Sequence, residues 1–376
     1  MRRVRDTEAG RLLVALVTWL FFAAPCLAHA DGTVAFWGNY YKERSTRVIS
    51  PMVSLGLDLP EETSAEVSYL IDNITSASGI RANADGNPLG ARDPWQETRQ
   101  EVRLDLSKRI FGFLTPGALA RYSYEPDYTS FTYGLSLAAS LFEDNTVLTV
   151  SAQRQNDAIF AAYTNFEDTL DTWRLAAGVT QTLLPNLAVG GSFEAQLLDG
   201  YTENPYRNEE HPRTRDRFAA GFWAAYRFRD PGTTVRASYR YYWDDWSVEA
   251  HSFELQVFQR ITADLEIVPL VRFHGQSGVN FRSQIDRDGF TYYTSDPKLS
   301  KLGNTAVGLR VVWRLSFLKD TFLDPFQSVE LHPRYQFFAQ RNELELNPIR
   351  IVAPEDGAQN SFGDAHIAQL GVVWPF

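Results

Sequence analysis

Beyond residue 30 this 376-residue chain carries five histidines, His211, His251, His274, His332 and His366, and any acid–base or nucleophilic chemistry would start from them. An imidazole activates a serine hydroxyl only when both side chains face one side within hydrogen-bond reach. In an extended chain successive side chains point to opposite faces. His251 and Ser252 are neighbours, and His274 and Ser277 are an odd number of residues apart, so neither pair can act within one strand. A cross-strand pair stays open. Asp286-Arg287-Asp288-Gly289 has the opening of a calcium loop, but no acidic residue closes it at the required spacing, so it reads as an Asp-Gly turn. Gly134, Gly178, Gly221 and Gly308 occur singly and offer no phosphate cradle. These residues therefore predict no catalytic set, no cofactor site and no metal site, and the chain is not expected to be an enzyme.

The arginines are more informative. Arg227, Arg236, Arg240, Arg272, Arg310, Arg314 and Arg334, with Glu254 and Glu330, each alternate with apolar or aromatic residues. Phe218, Phe222, Tyr226 and Phe228 share one parity while Arg227 takes the other; Val235, Ala237, Tyr239, Tyr241 and Trp243 oppose Arg236 and Arg240. Val307, Leu309, Val311, Trp313 and Leu315 oppose Arg310 and Arg314, and Tyr335 and Phe337 oppose Arg334. Period two means strands. An aromatic face backed by a charged one inverts the pattern of a soluble sandwich and fits a barrel with lipid outside and water inside. Extending the parity along the chain assigns Arg103, Arg109, Arg121 and Arg174 to the inner face as well, with Glu66, Asp72, Asp105, Glu194 and Glu266.

Such segments are read at 33–42, 46–58, 63–74, 96–110, 115–124, 127–142, 145–155, 170–183, 187–199, 215–229, 233–244, 247–260, 264–275, 299–317, 327–341 and 362–376. The fold class is all-β, a transmembrane antiparallel β-barrel of about sixteen strands, with fourteen to eighteen possible. Short turns, such as Glu143-Asp144 and 230–232, alternate with long connections, such as 75–95, 200–214 and 342–361, which is the rhythm of an outer-membrane barrel. The chain ends Gly371-Val372-Val373-Trp374-Pro375-Phe376. This tail resembles the signal that such barrels present to the barrel-assembly machinery, with Gly371, Trp374 and Phe376 the residues expected to be read.

Arg2, Arg3, Arg5 and Arg11 precede the apolar run 12–24, and Ala28 and Ala30 stand at the −3 and −1 positions of a cleavage site. Residues 1–30 are thus expected to be a cleaved secretory signal peptide and 31–376 a single barrel domain. Cys26, the only cysteine, would leave with the signal, so the exported chain would have neither a disulfide nor a thiol nucleophile. The net charge of −10 and the lack of a Lys/Arg-rich run argue against nucleic acid. With 44% hydrophobic residues, disorder is excluded too.

The central and late segments resemble an uncharacterised family of bacterial outer-membrane proteins, the domain of unknown function 3570. The residues that carry the resemblance are Tyr239-Arg240-Tyr241-Tyr242 with Asp244 and Trp246, His251, Arg272 with Gln276-Ser277 and Phe281, and Tyr292-Tyr293-Thr294-Ser295-Asp296 with Leu299-Ser300. Phe273-His274 departs from the Tyr pair expected after Arg272. The resemblance implies fold and location, and lends no catalytic residue.

The expected role is a porin-like passive channel, or a barrel scaffold for export or electron-transfer partners, in the outer membrane of a Gram-negative bacterium. Its partners would be outer-membrane lipid, the assembly machinery and small solutes, with the oligomeric state open. The alternatives are a surface-binding or structural barrel with long extracellular loops, and a barrel-embedded enzyme.

Overall fold

The computed structural model describes residues 31–43, 46–76, 81–82, 88–89, 95–161, 165–205, 209–229, 232–281, 291–294, 296–342 and 364–376. In chain order the strands are β1 Gly32–Lys42, β2 Thr46–Leu59, β3 Thr63–Ser76, β4 Arg81–Ala82, β5 Pro88–Leu89, β6 Trp95–Lys108, β7 Leu114–Glu125, β8 Tyr128–Leu141 and β9 Thr146–Phe160. They continue as β10 Glu167–Leu184, β11 Leu187–Gly200, β12 Thr214–Arg227, β13 Thr233–Asp244, β14 Glu249–Arg260, β15 Leu265–Gln276, β16 Leu302–Arg314, β17 Glu330–Asn342 and β18 Ala365–Pro375. The two-residue strands β4 and β5 pair only with each other; the other sixteen form one closed antiparallel barrel. All sixteen expected strands are present in the expected order.

Closure occurs between the first and last barrel strands, in register from Thr33 opposite Pro375 to Lys42 opposite His366. Gly32 and Phe376 complete the seam by exchanging backbone hydrogen bonds of 3.0 and 2.9 Å. Closure satisfies every strand edge from within, the condition for sheet structure in lipid. Gly371 is required at this seam: a Cβ there would come within 2.2 Å of the Trp37 ring lying over it.

The two faces of the wall differ as the alternation predicts. Leu135, Val150 and Phe222 remain 69%, 53% and 56% exposed, although they sit in the middle of well-paired strands. In water such a belt would lose the free energy that drives folding; against hydrocarbon it is at no disadvantage. Buried apolar residues such as Val53, Val268 and Ala306 are spread along the wall, and Trp246, Val248 and Val279 gather into one buried cluster with Tyr242, Phe281 and Leu299 packed on it.

Connections also segregate by end. The turn end, where Gly32 and Phe376 meet, has 60–62, 109–113, 142–145, 185–186, 228–232, 261–264 and 315–329; the loop end has 43–45, 77–94, 126–127, 161–166, 201–213, 245–248, 277–301 and 343–364. Two expectations need correction here. Arg109 lies in the turn after β6, where it donates to the Gly112 carbonyl at 2.8 Å and stands 3.4 Å from Asp144, so it crosses between turns and does not continue the alternating face. The strand expected to run to 317 ends at Arg314, and short 3-10 turns at Ser316–Leu318 and Asp324–Phe326 fill a longer connection.

Candidate functional site

Residues directly opposite in an antiparallel ladder share a face, so register shows which of the predicted side chains meet. Arg314 donates to Glu330 at 2.7 Å, and the other Glu330 oxygen is 3.2 Å from His332 Nε2. Arg240 reaches Glu194 on β11 at 3.3 Å. Glu254 stands opposite Arg272 and accepts from Gln256 at 2.9 Å. Arg236 lies 4.5 Å above the Trp223 ring, which itself covers Gly190 so closely that a Cβ there would be 2.2 Å from the indole nitrogen. Arg310 stacks 5.7 Å from the Phe258 centroid and stands directly opposite Arg334. Arg227, the last residue of β12, is exposed at the turn end. All nine therefore sit on the polar face, opposite the parity of the exposed apolar residues.

Near the loop end the same face carries Asp72, Arg121 and Arg174, as the alternation assigned them, beside charges that the sequence reading did not single out, among them Arg99, Arg215 and Arg217. Arg215 and Arg217 share the parity of Arg227 along β12. Arg121 and Arg174 both donate to the single Gln155 carbonyl oxygen, Arg121 also to Thr132 at 3.0 Å, and Gln155 in turn donates to both Asp157 oxygens. Arg99 pairs with Asp72 at 2.5 Å. Glu97, Glu125 and Asp127 bring carboxylate oxygens within 4.8 Å of one another, a grouping formed by neighbouring strand ends and a turn. The face is thus closer to charge balance than strand parity suggested, with acid gathered on β6 to β9 and arginine on β10 to β17.

Above this rim three loop-end connections pack together. Arg215 and Asp244 form an ion pair with side-chain exposures of 8% and 0%, Tyr242 donates to the same carboxylate at 2.8 Å, and Arg215 lies 4.2 Å over the Trp246 ring. The Trp246 indole N–H donates to the Thr214 carbonyl at 3.0 Å. Glu209 accepts from the Asn204 N–H at 3.1 Å and from Thr294 at 2.9 Å, and Glu210 and Tyr293 exchange backbone hydrogen bonds. Burial works to raise the Glu209 carboxyl, but the His211 imidazole 3.6 Å away and hydrogen bonds from the Asn204 amide and Thr294 outweigh it and hold the group below the usual carboxylate range.

The cross-strand pairing left open in the sequence is realised: Ser252 Oγ is 2.8 Å from His274 Nδ1, since the two residues face each other across β14 and β15. Gln276 donates through Nε2 to the carbonyls of Lys298 and Ser300, both at 2.9 Å, leaving Oε1 turned toward His274 Nε2 at 3.5 Å. With the imidazole proton on Nε2, facing that oxygen, Nδ1 is the acceptor for Ser252. A neutral amide at 3.5 Å stands where a nucleophile's base would need a carboxylate. The turn Asp286 to Gly289 and the cleavage residues Ala28 and Ala30 lie outside the described residues.

At the seam, the Trp374 ring sits 5.4 Å from Phe326 of the turn-end connection. A Cβ added to Gly32 would come within 2.7 Å of the Phe376 ring. Leu370, on the parity of Trp374 and Phe376, is 53% exposed.

Residues 160–347 match the family profile described as "Protein of unknown function (DUF3570)". No curated protein matches the sequence. Among solved structures, CdiB from Acinetobacter baumannii is similar with a TM-score of 0.52 at 10% identity, covering 91% of this chain; the chain spans 60% of that protein. A bacterial polysaccharide outer membrane secretin is similar with a TM-score of 0.52 at 8% identity, over 92% of this chain and 98% of that one. OccD3 (OpdP) of Pseudomonas aeruginosa aligns over 93% of this chain and 91% of its own at 10% identity, with a TM-score of 0.47. At these identities the likeness concerns the fold. The chain belongs to the DUF3570 family, and its fold is the closed sixteen-strand barrel of Gram-negative outer-membrane proteins.

Proposed function

We propose that this barrel is a passive, porin-like pore of the outer membrane, with the polar face lining an aqueous lumen, the turn end in the periplasm and the loop end outside the cell. The observation that carries the reading is the inner face itself. Arg236, Arg240, Arg272, Arg310 and Arg334 project from neighbouring strands, and among the described residues only Arg240 of these has a carboxylate within 4 Å. Charges left so incompletely paired would be costly in a dry, plugged interior and are tolerable in contact with water. A sixteen-strand barrel is also wide enough to enclose water unless loops fill it. In this reading residues 1–30 direct export, the apolar belt meets outer-membrane lipid, and the Gly371, Trp374 and Phe376 tail is read by the assembly machinery.

Conductance of the purified protein in a planar bilayer tests the pore. Discrete, salt-dependent steps are expected, and a folded, heat-modifiable barrel that never conducts would overturn it. One observation favours a second reading, a barrel whose outer surface binds a partner. Glu209 and His211, Trp246 and Val248, and Val279, Phe281 and Thr294, from three loop-end connections, pack together as a cap, and such order suits a recognition surface. Loss of conductance together with retained loop-end order would leave that reading standing.

A further inference from the structure

Arg310 on β16 and Arg334 on β17 are directly opposite in the ladder, and Gln369 on β18 continues the same row. Residues so placed have Cβ atoms about 4.5–5.5 Å apart, and like charges at that position destabilise a sheet. The usual remedy is a carboxylate between them, and among the described residues none is in ion-pair contact with either. Arg310 is held instead against the Phe258 ring, at 5.7 Å. Arg334 buries its Nε without a hydrogen-bond partner. Glu254, on the same face two strands away from β16, already accepts at Oε1 from Gln256 at 2.9 Å. Four residues along each strand toward the turn end, the same two strands solve the problem in the ordinary way, through Arg314 and Glu330 at 2.7 Å. The contrast between the two rungs lies in the missing acid.

Both arginines are half-buried on the polar face, partly withdrawn from bulk water. A planar fork with parallel N–H donors matches carboxylate or phosphate oxygens two at a time, and withdrawal from water strengthens each bond. We propose that Arg310 and Arg334, with the Gln369 amide as neighbouring donor, form a binding station for the oxyanion group of a small solute, a carboxylate or a phosphate. The anion supplies the counter-charge that the sheet lacks. Arg310 is fixed by its aromatic support, so it presents its fork at little entropic cost, and Arg334 closes on the ligand from the facing strand. This inference rests on the reading of the polar face as lumen, and gives the pore a substrate class: anionic solutes that pause at one site before leaving.

The test is equilibrium binding by the purified barrel in detergent, read as the shift in thermal unfolding midpoint with inorganic phosphate in one arm and succinate in another. Each arm is compared with chloride at equal ionic strength. In wild type at least one oxyanion should raise the midpoint in a saturable way, and the arm that does so identifies the group bound. Arg334→Gln and Arg310→Gln should each weaken the apparent affinity on the order of tenfold or more, the scale of one lost charge-assisted bidentate contact. Without anion, Arg334→Gln should be at least as stable as wild type, because it relieves the repulsion; a structural arginine would give the opposite sign. Arg334→Lys, which keeps the charge and loses the fork, serves if the glutamine variant does not assemble. Equal stabilisation of wild type and variants, or none beyond chloride in either arm, would overturn the station. Because binding is read without current, a barrel that binds and does not conduct refutes the pore alone. One that conducts with no variant-sensitive binding refutes the station alone.

Discussion

Replacing Asp244 by Asn should loosen the loop-end cap while leaving the barrel wall assembled. The Asp244 side chain is fully buried and that of Arg215 is 8% exposed. One Asp244 oxygen accepts from Arg215 Nε at 3.0 Å and from Tyr242 at 2.8 Å, and the other accepts from the Val248 N–H at 2.8 Å. A pair of exposed ions at this spacing would contribute less than about 1 kcal/mol. Here the change strands a guanidinium beneath Trp246, and removing one partner of a buried pair costs about 3–5 kcal/mol. Asparagine keeps an oxygen for Val248, which favours the lower end of that range. At about 1.4 kcal/mol per decade, a loss of about 3 kcal/mol raises local opening roughly a hundredfold. Amide hydrogen exchange of residues 244–248 in detergent measures it directly. The double change Arg215→Met with Asp244→Asn removes both charges, keeps a hydrogen-bonding partner for Val248 and Tyr242, and should return exchange to within about 1 kcal/mol of wild type. An Asn variant that exchanges within about fivefold of wild type, or a double variant as open as the single one, would refute the reasoning.

Acid should undock the same cap. Because the Glu209 carboxyl is held below its ordinary value of 4.5, the stability it lends is complete above that value and is lost as pH falls through the lowered one; protease access to 201–205 should rise there, and Glu209→Gln should flatten the profile. At the wall, Gly190→Val should displace Trp223 and with it Arg236, lowering the heat-modification temperature by the equivalent of about 1–3 kcal/mol, whereas Gly191→Val, with no atom closer than 3.7 Å, should cost less. Deleting Phe376 removes both seam hydrogen bonds to Gly32, so membrane-inserted yield should fall while export across the inner membrane continues; equal inserted yield would show that this end is not needed for assembly.

Much of the wall was legible because the outer and inner faces obey opposite rules at every second residue, and a one-residue slip would invert them all. Phe222 and Tyr226 against Arg227 already determine which side of β12 meets the apolar surroundings. The same parity runs back to Arg217 and Arg215, so those two were readable; the mixed run 213–217 hid them by alternating arginine with Thr214 and Asp216 and with no apolar residue to mark a face. Arg109 failed for the opposite reason, since alternation gives no warning of where a strand stops. Contacts set by register, such as Ser252 with His274 and Arg310 with Arg334, need two strands at once and cannot be found by inspecting one. The cap was further out of reach: Thr294 and Glu209 are 85 residues apart, and nothing in either connection announces the other.

The central claim is that the polar face is a water-filled path, and bilayer recording of wild type beside Arg240→Glu tests it most directly. Arg240 and Glu194 are about half exposed, so the pair itself adds little to stability, and the substitution chiefly reverses a charge on the face. The account predicts discrete conductance in wild type, a reversal potential that moves toward cations in the variant, and a difference that shrinks as salt shortens the Debye length below about 10 Å. Silent bilayers from a heat-modifiable wild-type barrel, or an unchanged reversal potential in a conducting variant at low salt, would contradict it.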